Sequence, residues 1–367
     1  MTDRAVAGPS ARDGRTEPAV RVDEAVILEL ADPRWQEFVA ACPEATAFHH
    51  PAWASLIARC YGFRAFAVAL GDGTGAIGAG LPVAEVGHLH RTPKWVSLPF
   101  TDHCPPLAGA SQDGDHLAAA LLRASRSAGI RRAEVRAQVA GAPAAGPPAL
   151  RHVLALEGGP DAVYAGFHRS QVQRNIRRAE REGLTVRQAG QESDLAGVFY
   201  QLHLRTRRRQ GVPVQPRRFF RLMWDGVIRT GLGSVLIAEK AGRPVASAVF
   251  LSWNGTVIYK FGASDAGAWS LRPNHLLFWH AIRAACDQGC RWFDFGRTDA
   301  GHDSLAAFKR SWGAREEPLL YSTLGAPARQ REAPGGGRMA AALASAIKHG
   351  PPLLCRMTGE ALYRYTA

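Results

Sequence analysis

The sequence predicts an α/β fold with two similar lobes, because one pattern of elements occurs twice in 367 residues. In each half, two apolar runs surround a glycine turn, as in a β-hairpin. A helix that ends at a glycine follows, and then a strand with a carboxylate near its middle. Hairpin, helix and strand, repeated once, are typical of two lobes that each carry a mixed sheet flanked by helices.

The predicted elements have corresponding positions in the two halves. The apolar runs alternate or are continuous, as in half-buried and buried strands. In the first half they are a hairpin at 66–70 and 77–83, a helix at 116–127 and a strand at 129–135. In the second half they are a hairpin at 234–238 and 245–251, a helix at 274–287 and a strand at 289–295.

The length exceeds that of a usual single domain, which favours a division into two lobes and two terminal segments. Residues 1–22 are polar and lack the apolar centre of a signal peptide, so we expect them to be disordered. The predicted units are a first lobe at 23–160, a basic linking helix plus second lobe at 161–325, and a linker with a helical tail at 326–367.

The tail contains a predicted helix at 339–347 and an apolar segment at 351–365. We expect this segment to pack back on the protein, and a weak peripheral contact with a membrane surface is the alternative. No apolar run reaches the length of a membrane span.

The charge is strongly basic, with 45 Lys and Arg against 32 Asp and Glu, a net charge of +13 and a pI of about 10.0. This balance favours a polyanionic partner, although a high-GC genome also enriches arginine. Two predicted helices carry arginine stripes, one with Arg174 and Arg178 and the other with Arg205 and Arg209. Such stripes at the junction of the lobes predict a surface for an RNA acceptor stem or a diphosphate, and solvated helix faces are the alternative.

The six cysteines form no CxxC pair, so we expect no metal site. Scattered free thiols in a chain of this size are typical of a reducing cytoplasm, where we expect the protein to be located.

The most informative segment is 293–313, which predicts a strand, a polar loop and a short helix. The strand ends at Gly296 and Arg297, and the helix carries Lys309 between Phe308 and Trp312. A lysine on a rigid turn beside a strand end suits a phosphate or a developing oxyanion. A core strand followed by an amphipathic helix with a solvated lysine remains the alternative.

Four motifs occur in one order: 48–53 with 60–62, then 98–103, then 170–183, and finally 293–313. Together they resemble the Fem-type family of aminoacyl-tRNA-dependent peptidyltransferases, which have tandem acetyltransferase-like (GNAT) lobes. The resemblance spans roughly residues 24–325 and implies that fold for both lobes.

The resemblance also implies site residues. Lys309, paired with Phe308, would face the terminal nucleotides and the reacting ester, and Asp102 would be the first-lobe acid near the acceptor amine. Tyr259 would be the tyrosine of the splayed strand in the second lobe, and Arg205 or Arg209 the arginine that binds the acceptor phosphate.

Other candidates come from the same motifs and stripes. His103, Arg297, Arg174 and Arg178 are further substrate-binding candidates. Two alternatives stay open, namely that Asp102 caps a turn and that Tyr259 belongs to the core. His49 and His50 are interpreted as a helix-start feature.

The predicted reaction is direct aminolysis of an aminoacyl-tRNA ester by an amine acceptor, either a peptidoglycan precursor or a specialised metabolite. It needs no cofactor beyond the aminoacyl-tRNA cosubstrate, and no nucleophile-elbow motif is present. The first alternative is a GNAT-type N-acyltransferase that uses acetyl-CoA or another acyl-CoA. Its pyrophosphate loop has only poor matches, at 187–192 and 229–233. A non-catalytic RNA-binding protein is the second alternative.

Overall fold

The computed structural model describes residues 25–88, 91–108, 114–139, 142–325 and 336–363. The segment 1–22, predicted to be disordered, lies outside the described residues, as do residues 326–335 of the linker.

The elements of the first half follow the predicted pattern. The hairpin and the helix are present and extend a few residues beyond the predicted ends, whereas the strand predicted at 129–135 begins only at Arg132. In order the elements are β1 (Val26–Leu28), α1 (Pro33–Ala41), α2 (Pro51–Tyr61), β2 (Arg64–Gly71), β3 (Ile77–His88), β4 (Arg91–Val96), β5 (Leu107–Ala108), α3 (Gly114–Ser127), β6 (Arg132–Val135) and β7 (Ala144–Ala155).

The second half repeats this order. Its elements are α4 (Gly159–Ala165), α5 (Arg174–Arg181), β8 (Leu184–Gln188), α6 (Tyr200–Gln210), α7 (Arg217–Met223), β9 (Gly233–Lys240), β10 (Arg243–Trp253), β11 (Thr256–Ser264), α8 (Pro273–Asp287), β12 (Trp292–Asp299), α9 (Asp303–Arg310) and β13 (Arg315–Gly325). A C-terminal hairpin of α10 (Gly336–His349) and α11 (Pro352–Leu362) follows.

The predicted linking helix is interrupted in the structure. Helix α4 ends near Gly166, and the chain restarts at His168, whose imidazole Nδ1 accepts a hydrogen bond from the backbone N–H of Gln171 at 3.3 Å. A side chain that caps a new helix start satisfies one of the N–H groups that a helix terminus leaves free. The linking segment is therefore two helices joined by a corner.

The strands of the described residues form one continuous mixed sheet, in the order β1-β2-β3-β4-β6-β13-β7-β12-β11-β10-β9-β8, with β5 beside β3. Strand β13 comes last in the second half but pairs with β6 of the first half. Strand β7 comes last in the first half but pairs with β12 of the second half. This exchange joins the two lobes, and the boundary between residues 160 and 161 stays a prediction.

The sheet has helices on both faces, as alternation along β10 shows. Val249 and Leu251 contribute to the same apolar cluster as helix α6, and Ala248 and Phe250 contribute to the cluster that contains α5 and α8. Successive side chains of a strand point to opposite faces. Helices α5 and α8 therefore cover one face of the second-lobe sheet, and α6 covers the other.

The C-terminal hairpin packs on α6, as the packing interpretation of the tail predicted. Ile347 of α10 and Cys355 of α11 are fully buried there, whereas Met339, Leu353 and Met357 are exposed. Within the described ranges, no helix combines the length and the apolar character needed to cross a bilayer.

Candidate active site

Each half contains a pair of parallel strands that separate after a short ladder. Strand β4 pairs with β6 only as far as Val96 and Glu134, and β11 pairs with β12 only as far as Ile258 and Asp294. The carboxyl ends of such diverging strands leave a crevice in which α/β proteins commonly bind ligands. Because β7 and β13 join the sheets side by side, residues that follow both separations line one cavity.

This cavity has a volume of about 560 Å³. That volume is in the range of small-molecule sites. Its charged lining residues are Asp102, Arg136, Arg207, Lys260 and Arg297. Its aromatic lining residues are Tyr61, Phe100, Phe219, Phe261, Tyr321 and Tyr363. Four cations surround a single carboxylate, so the cavity favours an anionic ligand.

Lys260 is held under the first-lobe loop. Its side chain is 5% exposed, and its Nζ donates to the backbone oxygen of Phe100 at 2.9 Å and lies 3.4 Å from Oδ2 of Asp102. The ammonium also lies over the rings of Phe48 and Trp53, at 5.1 and 5.5 Å from their centroids. These contacts fix the ammonium beside the carboxylate.

Asp102 is held at two points and opens into the cavity. Its backbone oxygen accepts a hydrogen bond from the Tyr321 hydroxyl at 2.7 Å, and its carboxylate contacts Lys260. Gly296, at a φ of +71°, lies so close that a Cβ there would be 3.4 Å from Oδ2 of Asp102. The prediction that Asp102 belongs to the reaction site agrees with this position.

Two arginines enclose the ring of Tyr321. The guanidinium carbons of Arg136 and Arg297 lie 4.9 and 5.2 Å from its centroid. Among the described residues, Nη1 of Arg297 and Nε of Arg136 are buried and have no hydrogen-bond partner. A buried donor without a partner costs about 1–3 kcal/mol, and a bound anion would remove that cost.

Lys309, on helix α9, is not among the residues that line the cavity. Its side chain is buried, and its Nζ donates to the backbone oxygens of Gly296 at 2.8 Å and Arg297 at 3.0 Å. The pairing of β12 with β7 is irregular between Asp294 and Arg297, so Lys309 supports a bulge. Burial lowers the pKa of Lys309 to about 8.

Tyr259 and Phe308 belong to the aromatic core of the second lobe. Both rings contact Phe278, with centroids 4.7 and 5.9 Å apart. Burial raises the pKa of Tyr259 to about 12. Neither residue lines the cavity, so the core interpretation of Tyr259 describes its position.

The histidines of the first-lobe motifs are structural. The Nδ1 of His49 accepts from the backbone N–H of Thr46, so its Nε2 carries the proton and donates to the oxygen of Pro105 at 2.9 Å. Burial lowers its pKa to about 4. His50 caps α2 through a hydrogen bond from the backbone N–H of Ala52, so both form the predicted helix start. Burial lowers the pKa of His103 to about 3, and its side chain does not line the cavity.

The two arginine stripes do not form the single surface that we predicted. Arg174 and Arg178 lie on α5, and Arg205 and Arg209 lie on α6, which covers the opposite face of the sheet. Arg205 pairs weakly with Asp265 at 3.9 Å, and the guanidinium of Arg209 lies 4.7 Å from the ring of Trp269. The prediction of one polyanion surface fails because helices that follow each other in the sequence cover different faces of the sheet.

Several cavity residues were missed in the sequence. Lys260 could have been found, because the residue after a core-facing tyrosine in a strand faces the other way. Arg136, Tyr321 and Tyr363 come from separate segments that only the strand exchange and the C-terminal hairpin bring together. No local pattern marks them.

Helix N-termini bind phosphate groups through their backbone N–H groups, and helix α8 follows the separating strand β11. Its amides are already engaged: that of Gly267 bonds to the Asp265 carboxylate, and those of Arg272 and His275 bond to backbone oxygens. Trp269 occupies the loop, and its Nε1 donates to Ser264 Oγ at 2.9 Å. The loop is also surrounded by cations, since Arg205 and Arg243 lie 3.9 and 3.8 Å from the Asp265 carboxylate and Arg272 ends the loop.

The described residues include no group of three or more His, Cys, Asp or Glu that could hold a metal ion.

Comparison with protein families matches residues 166–310 to an acetyltransferase (GNAT) domain. This match bears out the predicted acyltransferase class. Comparison with curated protein sequences gave no significant match.

Among solved structures, the chain is similar to FemX, with 14% identity, a TM-score of 0.65, and coverage of 83% of this chain and 97% of that one. It is also similar to L-PGS from Bacillus licheniformis, with 14% identity, a TM-score of 0.52, and coverage of 88% and 98%. A tandem GNAT protein from the clavulanic acid biosynthesis pathway matches with 12% identity, a TM-score of 0.50, and coverage of 83% and 99%. These similarities confirm the predicted tandem GNAT fold.

Proposed function

Starting from a Fem-like pair of GNAT lobes, we propose that this protein transfers an aminoacyl group from aminoacyl-tRNA to an amine bound in the cavity. The observation that carries the proposal is one carboxylate, Asp102, among four cations at the carboxyl ends of the separating strands of both lobes. An ester is already activated, so the enzyme needs mainly to position the amine and to stabilise charge.

In the proposed reaction the acceptor nitrogen attacks the ester carbonyl carbon, a C–N bond forms, and the bond to the ribose oxygen breaks. The acceptor ammonium loses two protons: one passes through the carboxylate of Asp102 to solvent, and the other goes to the leaving ribose oxygen. Lys260 holds the carboxylate in place. Arg136 and Arg297 bind an anionic group of the acceptor, and Lys309 supports the bulge that carries Arg297.

An acyl-CoA donor is the second candidate, favoured by the acetyltransferase domain match. The bonded amides of Gly267, Arg272 and His275 argue against a pyrophosphate at the N-terminus of α8, because an anion bound at a helix N-terminus uses free N–H groups.

The test is a transfer assay with labelled aminoacylated total tRNA and, separately, labelled acetyl-CoA, each with a pool of amine acceptors. The proposal expects transfer from tRNA that RNase abolishes and that the variant Asp102→Asn reduces at least about 10²-fold. Asp225→Asn, an exposed carboxylate, is the matched control and should transfer normally. Transfer from acetyl-CoA alone would establish the second candidate.

A further inference from the structure

The C-terminal helix α11 forms one side of the cavity. Leu362 and Tyr363 line it, and the ring of Tyr363 lies near two first-lobe rings. Its centroid is 6.3 Å from that of Tyr61, with the planes inclined at 19°, and 5.6 Å from that of Phe100. The helix therefore completes an aromatic wall of the cavity.

This wall is built into the protein. The Tyr363 hydroxyl donates to the backbone oxygen of Pro213 at 3.2 Å and accepts from Nη2 of Arg207 at 2.9 Å. Cys355 is fully buried. Gly359 lies so close to the loop before α7 that a Cβ there would overlap the carbonyl oxygen of Val214. Such close backbone contact requires glycine and fixes the position of the helix.

The wall and the charges together limit what the cavity can hold. The volume of about 560 Å³ matches that of a small-molecule site, so the part of a ligand that lies inside the cavity is small. Lys260 and Arg297 are paired with Asp102 and Asp299, so Arg136 and Arg207 are the cations of the lining that attract a negatively charged ligand. The carboxylate beside Lys260 suits the amine of that ligand.

We propose that α11, through Tyr363, is the specificity wall of the acceptor site and restricts it to a small amine with a carboxylate or phosphate group. That the ligand is the acceptor rests on the proposed function, but the size and charge of the cavity can be tested without any transfer reaction.

The experiment places a thiol in the wall by the substitution Val212→Cys in the full-length protein and measures its modification rate by mass spectrometry, with the wild type as control for the native cysteines. Three methanethiosulfonate reagents are compared: a small sulfonate, a trimethylammonium of similar size, and a bulky fluorescein. The background variants Gly359→Leu and Tyr363→Ala each disrupt the wall, the first by overlap and the second by truncation.

We expect the sulfonate to react about tenfold or more faster than the trimethylammonium reagent, because the cavity is positive. The fluorescein reagent should react slowly when α11 is intact and as fast as the sulfonate in both disrupted variants. Equal rates for the fluorescein and sulfonate reagents with α11 intact, or faster reaction of the cation, would overturn the inference.

Protection of the Val212→Cys thiol from modification by small added ligands distinguishes a carboxylate from a phosphate as the anionic group that the cavity binds. Glycylglycine carries a carboxylate and O-phosphoethanolamine a phosphate, and each is added at millimolar concentration. Protection of the thiol by either compound supports the inference and shows which anionic group the cavity binds. Protection only by a nucleotide-linked muropeptide, or by none of the three, contradicts it. If transfer from tRNA fails while these rates and protections hold, the proposed donor is wrong and the acceptor site stands.

Discussion

Replacing Lys309 by methionine decides between two roles for this lysine. The resemblance implies that its ammonium acts on the reacting ester, whereas the structure directs it to the backbone oxygens of Gly296 and Arg297, behind the cavity. In the second case it positions Arg297, and its loss allows the bulge to relax. The two roles predict different kinetic effects.

The effect on stability is small because two contributions oppose each other. Burial lowers the pKa of Lys309 to about 8, which corresponds to a cost of about 3 kcal/mol for the charged form. Two hydrogen bonds from a charged donor contribute about 1.5–3 kcal/mol each. Lys309→Met removes the burial cost of the charge together with the two hydrogen bonds. We therefore expect the free energy of unfolding to fall by about 0–3 kcal/mol and the protein to remain folded.

The assay is steady-state transfer with the acceptor varied, and Lys348→Met on the exposed face of α10 is the control. If Lys309 positions Arg297, the KM for the acceptor should rise about tenfold or more, the equivalent of 1.4 kcal/mol, with a smaller change in kcat. A large loss of kcat with an unchanged KM would refute the positioning role and place the ammonium at the ester.

Three other predictions follow from the same contacts. Asp102→Asn should lower kcat by about 10²–10⁴, as expected for a lost proton acceptor, with an unchanged urea midpoint, and Asp225→Asn should change neither. Lys260→Met should leave the Asp102 carboxylate without its partner, so the steady-state transfer rate should fall, and an unchanged rate would contradict this. His49 and His203 have folded pKa values lowered by burial to about 4 and 3, so the unfolded chain binds more protons below pH 6.5. The contribution of the two neutral histidines to folding stability is therefore complete above pH 6.5 and is lost as the pH falls toward 4. Urea unfolding should show a free energy of unfolding about 2 kcal/mol lower per histidine at pH 5 than at pH 7. Equal stability at the two pH values would contradict this.

The sequence predicted the elements well because their signals are local. Gly289, at a φ of +71°, determines where α8 ends. The apolar alternation of β9 and β10 determines which faces of these strands are buried. The exchange of β7 and β13 has no such signal, since it depends on pairing between strands about 170 residues apart. That exchange brings Tyr321 and Arg136 to the cavity.

The site was predicted in part. Asp102 and Arg297 line the cavity, Asp102 from the loop that follows β4 and Arg297 from β12 just past its bulge. Lys309 was expected in the cavity and lies behind it, since a helix that packs on a bulge turns its long side chain toward free carbonyl groups. Tyr259 was chosen over its neighbour Lys260, and strand alternation places the lysine in the cavity.

The most direct test of the account is transfer of label from aminoacylated tRNA to a small anionic amine, before and after RNase treatment. The account predicts transfer that RNase abolishes and that Asp102→Asn reduces at least about 10²-fold. Transfer that survives RNase and proceeds from acetyl-CoA alone would contradict it.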